Sequence, residues 1–290
     1  MSAPLREPTT VRGLLARTVG FLALTLAIAA AGGFLLPAGD LIAQSAALGA
    51  AALLAGWALL HMDGWPADAL GLPLDRRAGL EGLVGGLGGI GVAGTAMGVM
   101  ALAGALEWSG DATPWSFGAW AAEGFRSLVW LGAPAASEEV LLRGYLLAVS
   151  ARVLGAAAAL WITAVVFGLL HGANPEVGPV GLAGVTAAGL ALGALVLKTG
   201  SLWPAIGAHW GWNWALAFLG DVPVSGLDVA DAPGFDGVAR GADWLSGGAF
   251  GVEASVIAVA ALAAAAVWVW RREPSRVEGR SAPLWIHETT

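Results

Sequence analysis

Three groups of polar residues interrupt stretches of this sequence that are otherwise apolar, and their types suit a hydrolytic site. The groups are Glu138-Glu139 with Arg143, then His171, and finally His209 with Asn213. Ionisable side chains are expensive in hydrocarbon, and inside a membrane they commonly mark a functional site. We therefore interpret these residues as a hydrolytic centre built within the bilayer.

A helix would place the two glutamates in different surroundings. Glu139 and Arg143 are spaced i, i+4 with the acid on the N-terminal side, so they can pair on one helix face. Glu138 lies about 100° around the helix from Glu139 and cannot share that partner in the same way. It is free to face a wet cavity, where a carboxylate can act as a general base.

Each group also has a structural interpretation, which the residues alone leave open. The glutamates and Arg143 could be a solvated charge cluster at a helix end, and His171 could be a histidine at the membrane interface. His209 and Asn213 share one helix face and could form an interhelical hydrogen bond, which is worth about 0.6 kcal/mol in membranes.

The elements that would position these residues are transmembrane helices. Hydrophobic residues make up 57% of the 290 residues and charged residues 12%, whereas soluble domains carry about 25% charged residues. Apolar runs of about twenty residues recur along the chain, as spanning helices require. We predict an all-α, polytopic membrane helix bundle with about eight transmembrane helices. The predicted spans are residues 14–36, 41–62, 79–106, 117–152 (long enough for two helices), 155–171, 179–197, 201–219 and 249–270.

The distribution of charge predicts the orientation of this bundle. Eleven of the fourteen basic residues fall on one side, and the segments on the other side are acidic, with Arg240 as their one base. By the positive-inside rule, both termini are cytoplasmic. The basic residues of the predicted inner side are Arg6, Arg12, Arg17, Arg76, Arg77, Arg152, Lys198, Arg271, Arg272, Arg276 and Arg280. The acidic residues of the predicted outer side are Glu107, Asp111, Glu176, Asp221, Asp228, Asp231, Asp236 and Asp243.

Composition also bounds the chemistry and the organisation of the chain. The absence of cysteine from the sequence excludes disulfides, thiolate zinc ligands and a cysteine nucleophile. Abundant Ala and Gly, and thirteen Arg against one Lys, favour a bacterial source and the cell (plasma or inner) membrane.

We divide the chain into a cytoplasmic tail (1–13), N-terminal transmembrane helices (14–116), a catalytic transmembrane core (117–220), an acidic outer loop (221–248), a last transmembrane helix (249–270) and a cytoplasmic tail (271–290).

Glycines at four-residue spacing mark the third span. The pairs are Gly82/Gly86, Gly85/Gly89 and Gly94/Gly98. Small residues at this spacing let helices approach closely in lipid, and packing within one chain or between chains is equally compatible with them. Gly86, Gly88 and Gly91 also match a dinucleotide-binding fingerprint, but no strand precedes them and no acid follows at the ribose distance, so we reject that interpretation.

The polar motifs together resemble the CAAX protease and bacteriocin-processing (CPBP, Abi-type) family of intramembrane endopeptidases. The motifs are E-E-x-x-x-R (Glu138, Glu139, Arg143), F-x-x-x-H (Phe167, His171) and H-x-x-x-N (His209, Asn213). They occur in this order on successive predicted helices, and the resemblance covers roughly residues 130–220. It implies an endopeptidase that hydrolyses a peptide bond of a membrane-associated protein or peptide.

The resemblance also implies a role for each residue. Glu138 and His171 would activate a water for attack on the scissile carbonyl. His209 and Asn213 would stabilise the developing oxyanion. The supporting residues would be Glu139 and Arg143, which shape the site, and Phe167, which packs against it.

Cofactor and partners follow from the same reasoning. A metal-free, glutamate-type mechanism is favoured over a metallo-type one, in which Glu138, His171 and His209 would hold a divalent ion such as zinc. The expected partners are a peptide or membrane-protein substrate and the lipid bilayer, with no nucleic acid. The alternatives are a non-catalytic family member acting as an immunity or regulatory protein, and a transporter with ionisable groups at the bilayer midplane.

Overall fold

The predicted spans correspond to helices in the computed structural model, which describes residues 10–33, 40–110 and 115–274. The predictions that concern Arg6, Asp111, Arg276 and Arg280 lie outside these residues, as do most of the predicted tails 1–13 and 271–290. The α-helices of the described chain are α1 (Val11–Gly33), α2 (Leu41–Met62), α3 (Ala78–Leu102), α4 (Phe117–Glu139), α5 (Leu147–Leu154), α6 (Ala156–Leu170), α7 (Pro179–Thr199), α8 (Trp203–Trp214), α9 (Asp243–Ser246) and α10 (Val256–Trp270).

Five stretches of helix in the described chain are long and apolar enough to cross a membrane. They are Val11–Gly33, Ile42–Met62, Ala78–Leu102, Ala156–Ala173 and Pro179–Thr199. The apolar helix α10 is shorter. The protein is therefore a multi-pass membrane protein built mostly from helices, while the number of eight spans, the cytoplasmic termini and the division into segments stay predictions.

The polar motifs lie where regular α-helix ends. The predicted span 117–152 divides into α4, a π-helical segment (Val140–Leu146) and α5. Likewise α8 passes into a π-helical segment at Ala215–Leu219, and α6 passes into a 3₁₀ turn at His171–Ala173. Departures from α-geometry of this kind are frequent at functional sites, because they change the direction of side chains along one helix.

Glycine brings α3 and α8 into backbone contact. A Cβ atom built on Gly85 would lie 2.1 Å from the carbonyl oxygen of Pro204, and one on Gly211 would lie 2.2 Å from that of Gly86. The first two glycine pairs predicted to mediate close packing therefore do so within the chain. By contrast, Gly94 and Gly98 have no neighbouring atom within 4 Å of such a Cβ.

The mostly helical architecture is as predicted, but one short strand pair and the limits of two spans differ from the prediction. The third span ends at Leu102 instead of residue 106, because Gly104 adopts a left-handed conformation (φ 71°) that stops the helix. The chain then forms β1 (Leu106–Ser109), which pairs antiparallel with β2 (Asp236–Ala239) from the predicted acidic loop. The last helix begins at Val256 instead of residue 249, after two 3₁₀ turns.

Candidate active site

Glu139 forms the buried centre of the polar cluster. Its side chain is 0% exposed, and its Oε1 accepts hydrogen bonds from Arg143 Nη1 (3.0 Å) and His209 Nδ1 (2.9 Å). Arg143 is equally buried, and its guanidinium carbon lies 4.1 Å from the ring centroid of Phe167. The predicted i, i+4 pair of Glu139 and Arg143 is present, and Glu139 also holds the imidazole of His209.

Glu138 faces the two histidines without a direct hydrogen bond. Its Oε2 atom lies 3.9 Å from His171 Nε2 and 3.9 Å from His209 Nε2. That atom is buried and has no hydrogen-bond partner among the described residues, although the side chain as a whole is 37% exposed. A polar separation beyond 3.5 Å is one that a water molecule can bridge, and this carboxylate oxygen is aimed at both rings.

The partners of the two imidazoles fix where their hydrogens lie. His171 Nδ1 is 2.9 Å from the carbonyl oxygen of Phe167, and because a carbonyl can only accept, Nδ1 donates. His209 Nδ1 likewise donates to the Glu139 carboxylate, which is paired with Arg143. In the neutral form of each ring, Nε2 therefore carries the lone pair and presents it towards Glu138.

Phe167 packs between the imidazoles and the buried ion pair. Its ring makes an edge contact with His171 at a centroid distance of 4.7 Å and a perpendicular contact with His209 at 5.9 Å. The same ring receives the Arg143 guanidinium, so one aromatic side chain helps to orient three polar ones.

Asn213 lines a large cavity together with Phe167, His171 and His209. The cavity has a volume of about 810 Å³ and is bordered by α3, α7, α8 and α10. Its walls are mostly apolar, and Glu138 is not among the lining residues. The seven residues singled out in the sequence thus occupy one region: six are linked by the contacts above, and Asn213 joins them through the cavity wall.

The arrangement fits a bound metal poorly. In a tetrahedral zinc site with ligand bonds of about 2.1 Å, neighbouring ligand atoms are about 3.4 Å apart, which is shorter than the 3.9 Å from Glu138 Oε2 to either imidazole. Across the part of the chain that the structure describes, no group of three or more His, Asp or Glu side chains is arranged to hold a metal ion.

Tryptophans of α8 hold this helix against α4. Trp210 Nε1 donates to the carbonyl oxygen of Leu128 (2.7 Å), and Trp214 Nε1 donates to that of Gly124 (2.9 Å). Both donors and both acceptors are four residues apart, so the two bonds match the repeat of two antiparallel helices. The sequence gives no sign of this function, because the acceptors are backbone carbonyl oxygens 82 and 90 residues away along the chain.

Glu253, which the sequence motifs do not include, is a buried carboxylate that lines the same cavity. It falls within the predicted span 249–270, and an ionisable residue at that position is itself a signal of function.

Residues 120–215 match the family model of Rce1-like type II CAAX prenyl endopeptidases. This confirms the resemblance found in the sequence. The matched segment is about a third of the chain and contains all seven residues of the three motifs. Neither a curated protein nor a solved structure gives a significant match to the chain. Together with the apolar helices, the match indicates a membrane protease at the level of the family.

Proposed function

We propose that this protein is an intramembrane endopeptidase that uses Glu138 and His171 to activate water. The observation that carries the proposal is the buried Glu138 Oε2 atom, which faces the Nε2 atoms of His171 and His209 at 3.9 Å within a segment that matches a family of membrane endopeptidases. A carboxylate and an imidazole that both present lone pairs can each accept a hydrogen from one water between them.

The reaction then follows the usual course of acyl transfer to water. Glu138 takes a proton from the water while the oxygen of that water attacks the scissile carbonyl carbon. The attack gives a tetrahedral intermediate. Collapse of the intermediate breaks the C–N bond, and the proton held by Glu138 passes to the leaving nitrogen. The products are a carboxylic acid and an amine, which ionise to a carboxylate and an ammonium group, and no external reactant besides water is consumed.

Stabilisation of the oxyanion sets a condition on His209. Its Nδ1–H donates to Glu139, so Nε2 can donate to an oxyanion only when both ring nitrogens carry hydrogen. The proposed donor is therefore the imidazolium form, held between the carboxylates of Glu138 and Glu139. Asn213, one turn further along α8 on the same cavity wall, would supply the second donor through its amide NH₂.

The cavity favours a substrate that is itself apolar. Its mostly apolar walls would accept a segment of a membrane protein or a membrane-associated peptide. We propose a glutamate-type reaction without metal, since the separation of Glu138 from the histidines exceeds that of zinc ligands. Cytoplasmic termini and a bacterial inner membrane belong to the same proposal.

Proteolysis by the purified protein tests this proposal. The wild type and Glu138→Ala in detergent are each given a quenched-fluorescent peptide library, with and without a strong chelator. We expect cleavage by the wild type in both conditions and none by the variant.

Three results would contradict parts of the proposal. Cleavage by well-folded Glu138→Ala would remove that residue as the base. Loss of activity with chelator and its return with zinc would make Glu138, His171 and His209 metal ligands. No cleavage of any peptide by the wild type would favour a non-catalytic member of the family.

A further inference from the structure

Glu253 places a buried carboxylate on the wall of the candidate substrate cavity. It lies in the 3₁₀ turn Val252–Ala254 before α10 and is 5% exposed. It lines the cavity together with His171, His209 and Asn213, yet it lies outside the segment that matches the protease family. The proposed reaction gives it no task.

Neutral donors hold this carboxylate in place. Oε2 accepts hydrogen bonds from the backbone nitrogen of Ser225 (2.6 Å) and from its hydroxyl (2.7 Å), and Oε1 accepts one from Trp212 Nε1 (3.2 Å). Ser225 adopts φ 51°, a conformation that non-glycine residues rarely adopt and that such bonds help to maintain. The orientation of the carboxylate is thus fixed from two sides.

No cation balances Glu253 among the residues that the structure describes. Its position contrasts with that of Glu139, which is also buried but is paired with Arg143. Burying a carboxylate without a counter-charge is costly, and hydrogen bonds from neutral groups offset only part of that cost. A cationic group that entered the cavity would supply the missing charge.

Among the described residues, the cavity wall carries one carboxylate besides Glu253. The other carboxylate on its wall, Glu81, accepts a hydrogen bond from Ser201 and lies near the N-terminal end of α3, where Arg77 also lines the cavity. Around Glu253 the lining of α7 and α10 is apolar, for example Val185 and Leu262. Of the two carboxylates on the described cavity wall, Glu253 is therefore the one away from Arg77, and a positive charge in the cavity would be attracted to it.

We propose that Glu253 forms a subsite for a cationic group of the substrate, namely a Lys or Arg side chain or a free amine close to the scissile bond. This inference rests on the proposed endopeptidase function and adds a substrate class to it. Trp212, which donates to Glu253, lines the same cavity as His209 and Asn213, so a charge bound here would share the cavity with the donors of the proposed oxyanion site.

The test uses pairs of quenched-fluorescent peptides that differ by one Lys-to-norleucine change, scanned along the sequence. For the wild type we expect kcat/KM to favour Lys at one position by about tenfold or more. Glu253→Gln keeps the shape and one acceptor oxygen, which can still accept both hydrogen bonds from Ser225, but removes the charge. The Lys/norleucine ratio should therefore fall to about one, mainly through KM.

Two matched variants separate charge from structure. Ser225→Ala removes one hydrogen bond to Glu253 but keeps the charge, and Glu81→Gln removes a cavity charge at the other end. Both should retain the preference for Lys, and thermal unfolding in detergent checks that every variant is folded. If Ser225→Ala lost the preference as fully as Glu253→Gln, the carboxylate would be a structural clamp and the subsite would be wrong.

Binding to the inactive Glu138→Gln protein distinguishes this proposal from the proposed function. The fluorescence anisotropy of labelled Lys and norleucine peptides is measured with and without Glu253→Gln in that background. Tighter binding of the Lys peptide that disappears with Glu253→Gln supports the subsite even if the wild type cleaves nothing. Equal affinity for both peptides, or a Lys preference that survives Glu253→Gln, would overturn it.

Discussion

The two sides of the His209 imidazole differ in almost every physical respect. On the Nδ1 side, Glu139 and Arg143 are fully buried, and Glu139 accepts hydrogen bonds from His209 (2.9 Å) and from Arg143 (3.0 Å). On the Nε2 side, Glu138 is partly exposed, has a buried oxygen without a hydrogen-bond partner among the described residues, and stands 3.9 Å away. The Nδ1 side fixes the orientation of the His209 ring, and the Nε2 side leaves space for the proposed reaction.

This difference shows that neighbouring, chemically identical residues can have opposite tasks. Glu138 and Glu139 are consecutive, but the end of α4 directs them to different sides of the same histidine. A buried ion pair is a poor source of net stability, yet breaking it by removal of one partner is costly. The Nδ1 side should therefore respond to mutation mainly through folding, and the Nε2 side mainly through catalysis.

The largest effect is expected at Glu138. Glu138→Gln keeps the size of the side chain but removes the base, so kcat should fall by about 10³-fold or more, in the upper part of the range for general base catalysis. Single-turnover cleavage measures the rate, and the thermal unfolding midpoint in detergent should stay within a few degrees of the wild type. A rate within tenfold of the wild type would contradict the division between the two sides.

Arg143→Ala should have the next largest effect, and on stability. It leaves the buried Glu139 without its cation and should lower the free energy of unfolding by about 3–5 kcal/mol. Arg126→Ala is a matched control on α4, because Arg126 is 54% exposed and pairs with Glu123, where about 0–1 kcal/mol is expected. Equal losses in the two variants, measured by denaturation in detergent, would contradict a structural role for the Nδ1 side.

Asn213→Ala should reduce catalysis by less than the loss of the base. Removal of one donor to an oxyanion lowers kcat by about 10²- to 10³-fold in comparable sites, and KM should change little if the amide acts only in the transition state. Steady-state kinetics with one good peptide separate the two constants. A change confined to KM would instead place Asn213 in ground-state binding.

The smallest effect is expected from the indoles that hold α8 against α4. Trp210→Phe and Trp214→Phe each remove one hydrogen bond to α4, which should cost about 1 kcal/mol of stability. Trp161→Phe is a suitable control, since Trp161 on α6 is 59% exposed. If the α8 variants had the same unfolding midpoint as the Trp161→Phe control, these hydrogen bonds would not hold α8 against α4.

Much of the helical framework was predictable because it depends on local pattern. Long apolar runs located the five described helices that are long and apolar enough to cross a membrane. Four-residue glycine spacing predicted that α3 packs closely against another helix, and that helix is α8. The i, i+4 rule predicted the bond between Glu139 and Arg143. Each of these features needs only residues close together in sequence.

The features that were missed depend on residues far apart in sequence. Pairing of β1 with β2 joins segments about 130 residues apart, and an apolar run ending at Leu106 gave no sign of it. The π-helical segments at Val140–Leu146 and Ala215–Leu219 likewise read as continuous helix. The hydrogen bonds that hold Glu253 come from Ser225 and Trp212, which are 28 and 41 residues away in sequence, so these contacts could not be predicted from local pattern.

The glycine contact that α3 makes with α8 also determines where the cavity can change. Main-chain atoms set the separation of these helices, because a methyl group at Gly85, Gly89, Gly207 or Gly211 would overlap a carbonyl oxygen. The backbones of α3 and α8 are therefore held at one separation, and the backbone that carries His209 stays in place. The opposite wall is formed by ordinary side chains of α7 and α10, such as Leu192 and Ala265. Related proteins could thus acquire new substrate sizes on that wall while the hydrolytic residues keep their positions.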